Sequence, residues 1–131
     1  MKSYPTVTGS SKPTGYSHVV AATGSKMVYV AGQIALDAEG KLVGAGDMAA
    51  QAKQVYENIA HALAAAGATF ADVVKLNTYI VGLDADRMAA SRAARNLHFP
   101  GPNYPASTLV GVTALAMGGL MIEVEAVAMV D

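Results

Sequence analysis

Residues 121–130 read MIEVEAVAMV, and their alternation decides the fold. Successive side chains of an extended chain point to opposite faces. Ile122, Val124, Ala126, Ala128 and Val130 therefore share one side, and that side is wholly apolar. The other carries Met121, Glu123, Glu125, Val127 and Met129, apolar apart from its two glutamates. A strand of this kind requires cover on both faces.

Working back along the chain, STLVGVTAL (107–115) is a second β-type run, linked to the first through Met117-Gly118-Gly119. A Tyr104-Pro105 turn opens it, and proline is tolerated at a strand's first position. Two adjacent hydroxyls, Ser107 and Thr108, are thereby placed at a strand mouth. DVVKLNTYIVG (72–82) alternates in period two, with Val74, Leu76, Thr78 and Ile80 on one side. HVVAAT (18–23) and MVYVAGQ (27–33) flank Thr23-Gly24-Ser25-Lys26, which predicts a hairpin.

Two helices fall between these runs. Over 48–66, Met48, Ala52, Val55, Ile59, Leu63 and Ala66 recur at steps of three and four. Asp47 stands at the N-cap and Gly67 at the residue just past the C-cap. Gln51, Gln54, Glu57, Asn58 and His61 mark the opposite, solvated face. Asp84 to Leu97 predicts a second helix, closed by the loop HFPGPNYP (98–105). The resulting order, ββ(β)αβαββ, predicts an α+β fold in one domain spanning 1–131. Two helices cover one sheet face, so a further subunit is expected over the other. Glu123 and Glu125 would then face an interface or a cleft within it.

The bulk composition agrees. Apolar residues make up 53% and charged residues 15% of the chain, against about 45–50% and about 25% in typical domains. A monomer of this size would expose much of that apolar area. The formal net charge is −1 and no run of Lys or Arg occurs, so the footprint of a nucleic-acid binder is absent. There is no cysteine, which removes disulfides, thiolate metal sites and cysteine nucleophiles. MKSYPTVTGS lacks the apolar core of a secretory signal, and no stretch reaches the roughly 18 apolar residues of a membrane span. The expectation is a cytoplasmic protein with neither membrane nor nucleic-acid partners.

Chemistry-bearing motifs are few. His18, His61 and His98 share no metal-ligand spacing, so no metal site is expected. His98 begins the Gly-Pro loop, where packing of the turn is its expected role. ATGSK (22–26) lacks phosphate-loop spacing, Gly44-Ala45-Gly46 lacks the third glycine of a dinucleotide fingerprint, and no cofactor is expected. Glu123 stands out: a carboxylate on a two-sided apolar strand is costly unless it is paired or used.

Several segments together resemble the YjgF/RidA (Rid) family: PTGYSHVV (13–20), VAGQI (30–34), AAQAKQVYENIAHALAAAGA (49–68), DVVKLNTYIVGL (72–83), YPASTLVGV (104–112) and IEVEAVA (122–128). The resemblance spans nearly the whole chain. It implies a chorismate-mutase-like α+β fold, with a mixed β-sheet and two helices on one face. It also implies a homotrimer with a barrel-like core and small-molecule clefts between subunits. Members of the family hydrolyse reactive enamines and imines, such as 2-aminoacrylate, to 2-keto acids and ammonia. By the same resemblance Tyr16 contacts the ligand and the Gly32 backbone lines the site. The Leu109 N–H holds a carboxylate oxygen, and Glu123 directs the attacking water.

One position departs from the family pattern. The residue after Pro105-Ala106 is Ser107, where the family's deaminases carry an arginine that clamps the substrate carboxylate. A hydrogen bond to a charged group contributes about 1.5–3 kcal/mol, so the change implies very roughly ten- to 150-fold weaker capture. Ser107 would then orient a ligand that lacks a simple α-carboxylate or holds it differently, and Arg92 and Arg95 stay open as substitutes. The expected function is a Rid-type imine or enamine hydrolase. The alternative is a non-catalytic trimer that binds metabolites or exposed apolar segments.

Overall fold

The helix expected over 48–66 is α1, Met48–Ala65, in the computed structural model, which describes residues 1–131. Its two end signals act as read. The Asp47 carboxylate accepts the Ala50 N–H at 3.1 Å. Past the other end, Gly67 takes φ +73°, a conformation that favours glycine, and its N–H donates to the Ala64 carbonyl. The stripe of Met48, Ala52, Val55, Ile59 and Leu63 is buried. α2, Ala85–Asn96, is capped by Asp84, whose side chain accepts the Arg87 N–H.

Six strands complete the chain: β1 (Lys2–Ser3), β2 (Ala21–Ala22), β3 (Lys26–Gln33), β4 (Val73–Val81), β5 (Ala106–Val112) and β6 (Ile122–Val130). The main sheet has the order β3-β6-β4-β5. β6 runs antiparallel to both its neighbours, while β4 and β5 are parallel and α2 makes the crossover between them. The sheet is thus mixed and the fold α+β, as expected.

β6 lies inside the sheet because its sequence leaves it no other place. Ile122, Val124, Ala126 and Ala128 are buried beneath α1, together with Val28, Val30, Leu76 and Ile80. Each large aliphatic side chain so placed contributes about 1.5–3 kcal/mol. α1 packs across β3 and β6, and α2 packs beside α1. The other sheet face has no cover from this chain: Tyr29 on β3 is 74% exposed and Met27 50%. No helix is long and apolar enough to cross a membrane.

Three expectations need correction. The 18–23 and 27–33 runs do not form a hairpin: β2 pairs instead with the N-terminal β1, Lys2 opposite Ala22. Gln51 is not on a wet face but fully buried. Its amide donates to the Gly44 and Gly119 carbonyls at 3.1 and 2.9 Å and accepts the Met121 N–H at 2.8 Å. That one side chain ties α1 to both loops and to the entry of β6. In β4, Val73 rather than Val74 joins the buried side, because a bulge between Val73 and Lys75 shifts the register.

His98 packs the turn as expected, stacking on Phe70 with centroids 4.2 Å apart and on Tyr56 at 5.6 Å. Burial holds its ionisation below the ordinary histidine range, with Glu57 opposing. The neutral ring is favoured on folding, so its contribution is complete above about pH 6.5 and lost as pH falls through the lower folded value.

Two outcomes are expected. Gln51→Leu leaves the Gly119 carbonyl and the Met121 N–H unpaired and should cost about 2 kcal/mol or more in denaturant unfolding; a loss close to zero would contradict its tying role. The melting temperature should fall between about pH 7.5 and about pH 5, less steeply in His98→Phe than in the parent. Equal slopes in the two proteins would remove His98 as the cause.

Candidate functional site

The open face of the sheet carries the two glutamates of β6. Glu123 lies opposite Tyr79 and Glu125 opposite Asn77 on the adjacent β4. The chain's one ion pair joins the Met1 amino group to Asp131, so neither glutamate has a cationic partner in the chain. They are not equivalent. The Tyr79 hydroxyl donates to Glu125 Oε1. That bond, reinforced by desolvation and by the charges of both glutamates, holds the tyrosine above its usual ionisation range. Glu125 is engaged, and Glu123 keeps its oxygens for something else.

Gly32 fixes where the Glu123 carboxylate sits. β3 bulges between Val30 and Gln33, so Gly32 has no regular partner on β6. A side chain there would overlap the Glu123 carboxylate, coming within 2.7 Å of its Cδ. Glycine at 32 leaves that space to the carboxylate, which any side chain there would displace. Polar atoms of the bulged backbone and a free carboxylate are thereby brought together at one edge of the sheet.

Tyr16, Ser107 and Leu109 gather at the other edge. The loop before β2 follows the start of β5: the Ser17 N–H donates to the Pro105 carbonyl at 3.1 Å and the Ser17 hydroxyl to the Tyr104 carbonyl at 2.6 Å. Ser17 and Ala106 form an isolated parallel bridge. Backbone groups of alternate residues share a side of a strand, so the Leu109 N–H points the same way as the Pro105 carbonyl. That is the free edge of β5, where no strand of the chain pairs with it. Tyr16 lines a cleft of ≈550 Å³ whose walls include Tyr4, Lys12, His18 and Tyr104.

The two hydroxyls at the strand mouth diverge. Ser107 is level with the fully buried Leu76 and shares its helix-covered side, whereas Thr108 accepts from Lys75 Nζ at 2.9 Å on the open face. Through the register, Glu123 is level with Tyr79 and Val110, and Ser107 lies two strands across and three residues along. That separation is roughly 14 Å. One chain therefore holds two groups of candidate residues, Gly32 with Glu123 and Tyr16 with Ser107 and Leu109, toward opposite edges of its sheet. No set of three His, Cys, Asp or Glu side chains is placed to hold a metal ion.

Comparisons with known proteins identify the family. The profile described as Endoribonuclease L-PSP matches residues 9–130. The chain belongs to that family, the Rid or YjgF family. The Rid protein YyfB of Yersinia pestis, itself of unknown function, superposes with a TM-score of 0.90 at 37% identity, covering 98% of each chain. The protein named 2-iminobutanoate/2-iminopropanoate deaminase in Rattus norvegicus is 37% identical over 114 residues, 86% of this chain and 78% of its own length. A RutC family protein of Pyrococcus abyssi is 36% identical over 118 residues, 89% of this chain and 88% of its own. Rid relatives with deaminase names support an imine deaminase kind of function.

Tyr79 went unread in the sequence. Its partner Glu125 is 46 residues away, and only the β4–β6 register brings them together. A structure of Gly32→Ala should retain the fold with the Glu123 carboxylate displaced from β3; an unmoved carboxylate would contradict the close approach described above.

Proposed function

We propose that this Rid protein is an imine or enamine hydrolase whose site is completed between copies of the chain in a homotrimer. The observation that carries the reading is the unpaired Glu123 carboxylate, seated against Gly32 on a sheet face that its own chain leaves open. Support for assembly comes from that face itself, with Tyr29 and Met27 exposed beside it. The −1 formal charge and the absence of a basic run favour a small substrate over RNA.

The chemistry is short. Glu123 takes a proton from a water molecule as the water oxygen bonds to the C=N carbon. Glu123 returns that proton to the nitrogen, the new hydroxyl gives up its own proton to solvent, the C–N bond breaks, and ammonia leaves a carbonyl product. A protonated imine is already electrophilic, so placing the water and substrate supplies much of the acceleration. Tyr79 holds Glu125 aside and so keeps Glu123 as the free base. From a neighbouring copy, Tyr16 and Ser107 would orient the ligand and the Leu109 N–H would bind an oxygen of it.

The test generates 2-aminoacrylate and bulkier imines in situ and follows ammonia release. Glu123→Gln should lower the rate by about 10²-fold or more, with ligand binding retained. Ligand binding without turnover by the parent trimer would overturn the hydrolase reading in favour of a binding protein. An unaltered rate in Glu123→Gln would remove the glutamate from the mechanism.

A further inference from the structure

Arg95, in the last turn of α2, has more hydrogen-bonding capacity than the chain uses. A guanidinium offers five N–H donors. Two groups of Arg95, Nε and Nη2, share one neutral oxygen, Asn96 Oδ1, at 3.3 and 3.0 Å. No carboxylate reaches it, since the chain's one ion pair lies at its termini. The side chain is nonetheless half-buried. Burial makes the guanidinium easier to deprotonate than usual and Arg92 adds to this, against opposing influences from Tyr56 and Tyr104. A partly desolvated cation without an anion is costly, and native structures seldom leave one so.

Its position gives the cost a purpose. A side chain on Gly15 would come within 3.1 Å of Arg95 Nη2, so the guanidinium fills the space beside the Gly15-Tyr16 backbone. Gly15 lines the Tyr16 cleft, as do Tyr104 and Lys12, and no acidic residue is among the lining. A cation without an anion therefore sits behind the Gly15 wall of a cleft with a cationic rim.

We propose that Arg95 is the carboxylate-binding residue of the Tyr16 cleft and selects small 2-imino and 2-keto acids over neutral analogues. The identity of the ligand rests on the hydrolase reading; the binding of a carboxylate does not. The cation so supplied comes from α2, and residue 107 can then be a serine without loss of the anion site.

The experiment titrates the parent protein, Arg95→Met and Arg92→Met with 2-oxobutanoate, its neutral amide and inorganic phosphate, each followed by calorimetry. The parent should bind 2-oxobutanoate, and Arg95→Met should weaken that binding about tenfold or more. Arg92→Met should change it little, and the amide should bind weakly to all three. Equal affinity of the parent and Arg95→Met for 2-oxobutanoate would overturn the proposal, as would preference for the amide. Arg95-dependent binding of phosphate alone would overturn the carboxylate assignment. Should Arg95→Met fail to fold, Arg95→Gln carries the same comparison. The two readings fail separately: imine turnover with an unchanged KM in Arg95→Met sinks this proposal only. Arg95-dependent carboxylate binding without any turnover supports it and sinks the hydrolase.

Discussion

Everything in this molecule depends on the two unlike faces of β6. One face is aliphatic without interruption and is sealed beneath α1. Hydrogen bonding on both sides, to β3 and β4, fixes the strand in the sheet and leaves the glutamate-bearing face no freedom to turn. A slip by one residue would put Glu123 and Glu125 into the aliphatic core, at a cost no pairing in this chain could offset. The face that carries the chemistry is therefore set by the face that carries the stability.

Gln51 and Gly32 show how finely that arrangement is held. Gln51 ties the helix to the residue just before β6, so the strand enters the sheet at one height only. Farther along, the β3 bulge and the missing side chain at Gly32 give the Glu123 carboxylate its place. The opposite edge is built by different means. A loop follows the start of β5 through backbone hydrogen bonds, and α2 delivers a cation behind it. The two edges are parts of one chemistry, in our account, that a single copy of the chain keeps apart.

How much of this the sequence reveals depends on the range of the interactions. α1 was readable because its determinants are local: Asp47 and Gly67 at its ends and the apolar stripe between. β6 was readable because alternation is local too. Gln51 was misread as solvated because its partners, Gly44, Gly119 and Met121, lie up to 70 residues away. The same holds for the Tyr79–Glu125 pair and for β1, which takes β2 as its partner from across a loop. Within the candidate site, Glu123 could be singled out from the cost of burying a carboxylate. The grouping of Tyr16 with Arg95 could not, since helical periodicity says nothing about which loop a guanidinium will meet.

The central claim, that the two groups of site residues meet only between copies, has a direct test. Glu123→Gln and Tyr16→Ala are each expected to be impaired alone. Unfolded together in equal amounts and refolded, they should regain about one quarter of the parent's imine-hydrolysing activity, because that share of mixed sites joins an intact Glu123 to an intact Tyr16 from another copy. Activity no greater than the mean of the two separate variants would place both residues in a site within one chain and contradict the account.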